Sequence, residues 1–243
     1  MGNPVTWFEV IGTNAEQSAK FYGEVFGWSV DHFPEMNYHI FDTQSGTGIP
    51  GAAGEVREGQ APYSIVYIEN PDIDALLAKT QKAGATVVMP VTEIPNMVTF
   101  AHIKDPFGNL IGLVKGDGTV VVKDGTNPPV DWFEISCVEA EKAYDWYRDV
   151  FGWTIKADPM PEGQPHAQID TGTGIHGGIG GTPTGQPMVT TYAHVNDLGE
   201  YLRRAENLGA KTVMEPMQVD PTTHIAAFVD PHGNMFGLYS TAS

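Results

Sequence analysis

The sequence predicts an α+β protein in which one type of domain occurs twice. The segments WFEV and WFEI, which begin at Trp7 and Trp132, lie 125 residues apart. The same separation relates two FGW triplets, the pair GATVVM and GAKTVM, and the closing stretches DPFGNLIGL and DPHGNMFGL. A constant separation over distant motifs indicates a tandem duplication of a unit of ordinary domain size. Only the glycine-rich stretch of each half is shifted, to 126 residues, so we expect one added residue in a loop there.

Hydrophobic spacing predicts the elements of one half. Residues 5–11 alternate as a strand does, and residues 14–26 have the apolar spacing of a helix that ends at Gly27. Strands are expected at 28–30 and 38–42, before the glycine-rich stretch. The pattern then restarts, with a strand at 63–69, a helix at 72–83 and strands at 86–89, 98–104 and 110–114. Each half thus predicts two βαβββ modules, four in all, whose sheets we expect to curl into barrel-like clefts.

The repeat sets the predicted domain boundaries. We place a first domain at residues 1–118, a linker at 119–129 and a second domain at 130–243. The linker contains KDGTNPP, whose glycine and prolines favour a loop.

Both glycine-rich stretches, SGTGIPG and TGTGIHG, contain the G-x-G-x-x-G spacing of a dinucleotide-binding turn. That motif works only where it joins a strand to a helix, because the helix N-terminus binds the pyrophosphate. Here the second stretch continues into GIGGTPTGQP, which is rich in glycine and proline and does not favour a helix. We therefore expect a bulge, or a strand whose backbone is approached closely by another group, and no nucleotide.

Composition limits the partners and the compartment. The chain has 243 residues, 41% of them hydrophobic, and a formal net charge of −17. Nucleic acid is not expected as a partner, because phosphate binding needs clustered lysine and arginine. The acidic charge suits a cationic ligand, or it only keeps the chain soluble. With one cysteine, Cys137, no recognisable signal peptide and no run of about 20 apolar residues, we expect a cytoplasmic monomer or homodimer without membrane association.

These features resemble the vicinal oxygen chelate superfamily. The resemblance rests on the paired βαβββ modules, on helices that end in FYGEVFGW and WYRDVFGW, and on the closing DPFGNLIGL and DPHGNMFGL. It covers nearly the whole chain, in both halves. The superfamily includes glyoxalases, extradiol dioxygenases, fosfomycin-resistance enzymes and bleomycin-binding proteins, and its enzymes place a metal in the cleft. The tandem arrangement looks like the glyoxalase-like or hydroxylase-like members.

The resemblance implies where metal ligands would lie. By this comparison three of the positions correspond to Trp7, Ile65 and Gly112 in the first half, and to Trp132, Thr190 and Gly237 in the second. The remaining position falls in the glycine-rich segment, where only His176 could coordinate, with no second ligand nearby. Tryptophan offers no lone pair to a metal and glycine has no side chain. We therefore expect neither a metal nor another cofactor. A register shifted by two residues would instead move Glu9 or Glu134 into the first ligand position.

The same faces predict a ligand-binding surface. Residues two apart on a strand share a face, so Trp7 and Glu9 are expected to face the cleft together. Aromatic walls with few polar groups are typical of small-molecule pockets. The predicted ligand-binding residues are Trp7, Glu9, Tyr67, Trp132, Glu134, Thr190, Tyr192 and His194. The structural alternative is that the tryptophans fill the core and the glutamates bond to backbone or tyrosine groups. His102 and His224 are not equivalent in the repeat, so we exclude both from this set.

Two functions of different classes remain. The first is a non-catalytic protein that binds a small aromatic or hydrophobic molecule, cationic or neutral, without a metal. The second is a metal-independent isomerase, lyase or accessory hydroxylase that acts on an aromatic or polyketide-like metabolite, with Glu134, Tyr192 and His194 as acid–base groups. A metal-dependent lyase or dioxygenase follows only from the shifted register. Whether the protein is an enzyme stays open at this stage.

Overall fold

The structure, a computed structural model, describes residues 2–159, 165–182 and 184–241. The first half contains two βαβββ modules. The first of them consists of β1 (Val5–Gly12), α1 (Ala15–Phe26), β2 (Ser29–Phe33), β3 (Tyr38–Asp42) and β4 (Gly51–Glu55). The second consists of β5 (Tyr63–Asn70), α2 (Ile73–Lys82), β6 (Thr86–Ile94), β7 (Val98–Lys104) and β8 (Leu110–Lys115). Among the described residues, no helix is long and apolar enough to cross a membrane.

The second half repeats this order. Its third module consists of β9 (Val130–Cys137), α3 (Ala140–Phe151), β10 (Thr154–Ala157), β11 (His166–Asp170) and β12 (His176–Gly181). The fourth consists of β13 (Met188–His194), α4 (Leu198–Asn207), β14 (Lys211–Gln218), β15 (Thr223–Val229) and β16 (Met235–Thr241). The predicted α+β class with four βαβββ modules is confirmed.

Each half forms one eight-stranded sheet. The strand order is β2-β3-β4-β1-β5-β8-β7-β6 in the first half and β10-β11-β12-β9-β13-β16-β15-β14 in the second. The last strand of a module pairs in parallel with its first strand in β4 with β1, β8 with β5 and β16 with β13. Equivalent strands occupy equivalent places in the two sheets, so each copy of the duplicated sequence forms one complete sheet.

The compact units of the chain divide it differently from the sheets. One unit comprises Met1–Trp7, Ile65–Val120 and Phe133–Val189, and the other comprises Phe8–Ser64, Val121–Trp132 and Thr190–Ser243. The former, which we call the inner unit, contains most of the second and third modules. The latter, the outer unit, contains most of the first and fourth. Each unit therefore combines one module from each half.

The outer unit has an aromatic core that both of its modules build. Phe8 is fully buried and stacks near Phe41, with Phe236 of the fourth module 6.4 Å away. The hydroxyl of Tyr22, on α1, donates to Asp230 Oδ2 at 3.0 Å. Asp230 begins the DPHGN turn and also accepts from the backbone of that turn, which fits the turn-forming role of Asp.

The inner unit repeats this arrangement. The hydroxyl of Tyr147, on α3, donates to Asp105 Oδ2 at 2.7 Å, and Asp105 begins the DPFGN turn of the second module. Burial raises the pKa of Asp105, while its hydrogen bonds with Tyr147 and Asn109 lower it. Trp153 is 1% exposed and stacks parallel to Tyr147. The helix tyrosine of one half is thus joined to the closing turn of the other half.

Candidate functional site

The first strands of the two halves expose the predicted Trp and Glu side chains on one face. On β1, Trp7 and Glu9 are half-buried, whereas Phe8 between them is fully buried. On β9, Trp132 and Glu134 are half-buried around the fully buried Phe133. The alternation is that of a strand with one face toward the core. The tryptophans therefore lie on the face opposite the core phenylalanines.

In the outer unit, Glu9 is paired with a tyrosine of the neighbouring hairpin. Tyr38, the first residue of β3, donates a short hydrogen bond from its hydroxyl to Glu9 Oε1. Burial raises the pKa of Tyr63, and the negative charge of Glu9 raises it further. The alternative prediction that Glu9 bonds a tyrosine hydroxyl is thus confirmed, while its side chain stays half-buried on the outward face.

In the inner unit, Glu134 is part of a charged network. His166, the first residue of β11, lies with Nε2 3.3 Å from Glu134 Oε1 and Nδ1 2.6 Å from Asp158 Oδ2. Gln168 donates to the other oxygen of Asp158 at 3.0 Å. The hydrogen bond with Glu134 raises the pKa of His166 to about 9 against the effect of burial, and Asp158 adds to the increase. At neutral pH this face thus carries an imidazolium between two carboxylates.

Tyr38 and His166 occupy equivalent positions, which the sequence did not reveal. His39 pairs with Ala53 across β3 and β4, and Ala167 pairs with Ile179 across β11 and β12. These registers make Tyr38 and His166 counterparts that are 128 residues apart. The prediction that the two halves are 125 residues apart everywhere outside the glycine-rich stretch is therefore wrong. Three residues are gained before β11 and two are lost again before β12. The sequence could have revealed His166 if the hairpin strand of the second half had been searched, without a fixed offset, for a Tyr or His able to reach Glu134 as Tyr38 reaches Glu9.

In each glycine-rich stretch the first two motif glycines have positive φ in a turn, and the third lies in a strand that a neighbouring side chain approaches closely. A Cβ added to Gly177 would lie 2.6 Å from Phe133 Cε1, and one added to Gly178 would lie 2.6 Å from Glu134 Cδ. Both glycines belong to β12, which is a strand and does not begin a helix. Both stretches join one strand to the next, so the strand-to-helix connection that a dinucleotide-binding turn requires is missing here.

Tyr67 forms the centre of a second feature of the inner unit. Its partner across β5 and β8 is Gly112, and the partner of Gly112 across β7 and β8 is His102. A Cβ on Gly112 would lie 2.6 Å from Tyr67 Cγ, so the ring lies across the glycine. The Tyr67 hydroxyl reaches His102 Nε2 at 2.8 Å on the far strand. We excluded His102 from the predicted site because it has no counterpart in the repeat. It is nevertheless the hydrogen-bonding partner of Tyr67, a predicted ligand-binding residue.

The outer unit has the corresponding row without the histidine. Tyr192 pairs with Gly237, and Gly237 pairs with Ala227. A Cβ on Gly237 would lie 2.5 Å from Tyr192 Cγ. Thr190, two residues before Tyr192, is 3% exposed. Both halves therefore have a tyrosine ring over a glycine. The residue that pairs with the glycine on the next strand differs, being His102 in the first half and Ala227 in the second.

His194 lies in a polar cluster at the end of β13. Its ring stacks on Tyr239 at 4.5 Å, and its Nε2 is 3.3 Å from Thr241 Oγ1. Asp131 Oδ2 is 3.9 Å from His194 Nδ1, and Asp131 Oδ1 accepts from the Tyr239 hydroxyl at 2.8 Å. Burial raises the pKa of Asp131. The three proposed acid–base residues thus belong to different units, since Glu134 is in the inner unit and Tyr192 and His194 are in the outer unit.

The residues at the family's ligand positions do not fit a divalent metal. Within the described parts of the chain, no group of three or more His, Cys, Asp or Glu side chains converges as metal ligands. Gly112 and Gly237 are covered by tyrosine rings, so a carboxylate could not replace them without moving those rings. Cys137 is buried with its pKa raised to about 12, mainly by burial, which disfavours the reactive thiolate.

Comparison with known proteins identifies the family. The sequence profile of the Glyoxalase/Bleomycin resistance protein/Dioxygenase superfamily matches residues 5–113 and 130–238. The chain therefore belongs to this superfamily, with one copy of the family domain in each half. The matched ranges coincide with the two sheets.

Relatives of similar length exist among characterised sequences and structures. CFP32 of Mycobacterium tuberculosis, a candidate glyoxylase by its name, is 27% identical over 99% of this chain and 95% of its own. The anthracycline biosynthesis protein DnrV of Streptomyces peucetius is 26% identical over 96% and 91%. A Mn(II)-bound glyoxalase from Novosphingobium aromaticivorans has a TM-score of 0.74 at 14% identity, over 98% of this chain and 82% of that one. The 2,3-dioxygenase LapB from Pseudomonas sp. KL28 has a TM-score of 0.70 at 14% identity, over 100% and 94%. These structures share the fold.

Proposed function

We propose that this protein binds a small aromatic or hydrophobic molecule on the outward faces of its sheets, without a metal. The observation that carries the proposal is the tyrosine over glycine in both halves. Where the resemblance places a carboxylate ligand, Gly112 and Gly237 lie under the rings of Tyr67 and Tyr192. These rings occupy the space that a ligand side chain at either position would need, which supports binding without a metal.

The exposure of the tryptophans supports the same function. A tryptophan that only filled the core would be buried, as Trp153 is, whereas Trp7 and Trp132 are half-buried. Aromatic rings bind flat ligands by stacking, and a nearby carboxylate favours a ligand that also carries a positive charge. Glu9 and Glu134 lie beside these tryptophans on their strands, and the net charge of −17 favours cations generally.

The names of the relatives favour a polycyclic ligand. DnrV and DauV are named for the biosynthesis of anthracyclines, which are flat aromatic polyketides, and both align with nearly the whole chain. We therefore choose 1,2-dihydroxyanthraquinone as a probe of flat, hydroxylated aromatic chemistry.

Binding is tested by isothermal titration and by quenching of tryptophan fluorescence. We expect saturable binding, and an affinity about tenfold weaker for Trp7→Ala or Trp132→Ala, depending on which half is occupied. Trp146→Phe is the control, because Trp146 donates to the Ala83 carbonyl and serves the fold. Absence of saturable binding to the wild-type protein would reject the proposed function for this ligand class.

The metal-free character is tested on the same samples. We expect less than one equivalent of transition metal by elemental analysis, and an unchanged affinity for the probe after treatment with a chelator. A tightly bound metal in each half that is lost in Glu9→Gln or Glu134→Gln would instead establish the shifted register and a metalloenzyme.

An enzymatic function is a second candidate, and the Glu134–His166–Asp158 network favours it. A histidine held between two carboxylates can hold or release a proton close to a bound ligand. The candidate reaction class is a metal-independent isomerisation or lyase reaction on an aromatic metabolite. Glu134→Gln distinguishes the two functions, since an enzyme that uses Glu134 as a base would keep its affinity and lose turnover by roughly 10²–10⁴. A binder of cations would lose affinity in a salt-dependent way.

A further inference from the structure

One cluster distinguishes the first half from the second. Tyr67, Phe100 and His102, which we call the Tyr67 cluster, lie on β5 and β7 of the inner unit, the two strands that flank β8. Their ring centroids are 6.5 Å apart for Tyr67 and Phe100, 5.6 Å for Tyr67 and His102, and 5.3 Å for Phe100 and His102. Interplanar angles between 52° and 65° are those of edge-to-face or tilted contacts, which stabilise aromatic groups.

The repeat shows which part of this cluster is special. At the separation of 125 residues, Tyr67 corresponds to Tyr192 and Gly112 to Gly237, so the ring over the glycine is retained. Phe100 corresponds to Ile225 and His102 to Ala227, so the other two rings are absent from the second half. The strand pairings place Ala227 opposite Gly237 just as His102 lies opposite Gly112. Common fold requirements therefore do not demand the phenylalanine and the histidine.

We infer that the half-buried Phe100 ring is the aromatic group that contacts the ligand, and that the buried Tyr67 and His102 rings, which contact it, hold it in position. This inference rests on the proposed function. The side chain of Phe100 is half-buried, so it can offer ring surface to a ligand, while Tyr67 is 4% exposed and His102 is 8% exposed. The buried hydrogen bond to His102 fixes the far end of the Tyr67 ring, and Gly112 leaves room beneath it.

Fixing a ring before the ligand arrives improves binding because less freedom is lost on association. In the second half, Ile225 and Ala227 occupy the equivalent positions and offer aliphatic groups in place of aromatic rings. A flat aromatic molecule is therefore expected to prefer the first half. The ligand class is a planar aromatic that stacks against or alongside the Phe100 ring.

The experiment is a double-mutant cycle on the binding of 1,2-dihydroxyanthraquinone. His102→Ala and Tyr67→Phe each remove the hydrogen bond, and we expect each to weaken binding about fivefold to tenfold. The double variant is expected to bind no more weakly than His102→Ala alone, because without His102 the Tyr67 hydroxyl has already lost this hydrogen bond. His102→Gln, which keeps a polar group near the tyrosine hydroxyl, should recover most of the affinity. Phe100→Ile should weaken binding by a similar factor.

The second half supplies the control. Trp146→Phe should leave the affinity within about twofold, because the Trp146 indole donates to the Ala83 carbonyl and serves the fold. Melting temperatures of all variants separate binding from folding. Additive losses in the cycle, or a loss of the same size in Trp146→Phe, would overturn the assignment while leaving the proposed function intact. If wild-type protein does not bind the probe saturably, the proposed function fails and this assignment fails with it.

Discussion

At the scale of single residues, the pairing of the strand glutamates decides the charge of each outward face. Glu9 accepts from a neutral phenol, whereas Glu134 lies beside a histidine whose pKa is raised to about 9. A histidine with a raised folded-state pKa stabilises the fold fully below its unfolded pKa of about 6.5, and that contribution is lost as the pH rises through about 9. The two faces therefore respond differently to alkaline pH.

This difference can be measured with His166→Gln. We expect the variant to be less stable than the wild type at about pH 6 by about 1–2 kcal/mol, since one pKa unit corresponds to about 1.4 kcal/mol and solvent screens part of it. The gap should close at about pH 10. Urea denaturation at both pH values is the measurement. His176→Gln is the control, because the His176 side chain is 53% exposed and 3.5 Å from Asp170. An equal loss of stability at both pH values would contradict the charged state of His166.

The close contact between the Tyr192 ring and Gly237 leads to a second prediction. Gly237→Ala should destabilise the protein by about 1–3 kcal/mol, because the new Cβ would overlap the Tyr192 ring and force it to move. Gly199→Ala is the matched control, since Gly199 lies in helix α4 and its nearest outside neighbour would be 3.5 Å away. Alanine in a helix is favoured by about 1 kcal/mol over glycine, so this control should be neutral or stabilising. Equal melting temperatures for Gly237→Ala and the wild type would show that the ring moves without cost.

At the scale of elements, helix α3 carries two tyrosines whose hydroxyls have different surroundings. The Tyr147 hydroxyl donates to buried Asp105. Among the described residues, the buried Tyr144 hydroxyl has no hydrogen-bond partner. Burial raises the pKa of Tyr144 to about 12, so it stays neutral at physiological pH. One helix therefore offers a paired and an unpaired hydroxyl in the same core.

Replacing each tyrosine by phenylalanine tests this contrast. Tyr147→Phe should cost about 1–3 kcal/mol, because it deprives a buried carboxylate of a donor. Tyr144→Phe should be neutral or slightly stabilising, because an unpaired buried hydroxyl is replaced by hydrogen. Thermal and urea denaturation give both values. A larger loss for Tyr144→Phe than for Tyr147→Phe would mean that the hydroxyl of Tyr144 is satisfied by a group such as water.

Elements were predictable from sequence because each has a local signature. The helices end at Gly27 and Gly152, and both glycines have the positive φ expected of a helix C-terminus. The outward Trp and Glu faces followed from strand alternation. His166 and His102 were not predicted, for two physical reasons. An insertion before β11 breaks the register of the repeat, and His102 is reached through Tyr67 from a strand two positions away in the sheet.

At the scale of the whole molecule, the net charge of −17 produces self-repulsion that opposes compaction. Ion pairs on the surface, such as Lys20 with Glu24 at 3.8 Å, are exposed and contribute little. Salt screens such repulsion over distances of about 10 Å at about 0.1 M.

We expect the melting temperature to rise when NaCl is increased from about 0.05 to about 0.5 M at neutral pH. The effect should shrink near the isoelectric point of about 4.6, where the net charge approaches zero, and this is the control. Differential scanning fluorimetry is sufficient. A melting temperature that falls with salt at neutral pH would show that attractive charge pairs outweigh the repulsion.

The interleaving of the modules has a consequence for the order in which the chain matures on the ribosome. Phe8, Tyr22 and Trp28 are made long before the segment Thr190–Ser243, which belongs to the same unit. The inner unit can close as soon as Val189 has left the exit tunnel, since its latest segment ends there. The aromatic cluster of the first module is therefore covered only after every segment of the inner unit has been made. During synthesis, we expect the first module to bind chaperones that shield nascent apolar surface.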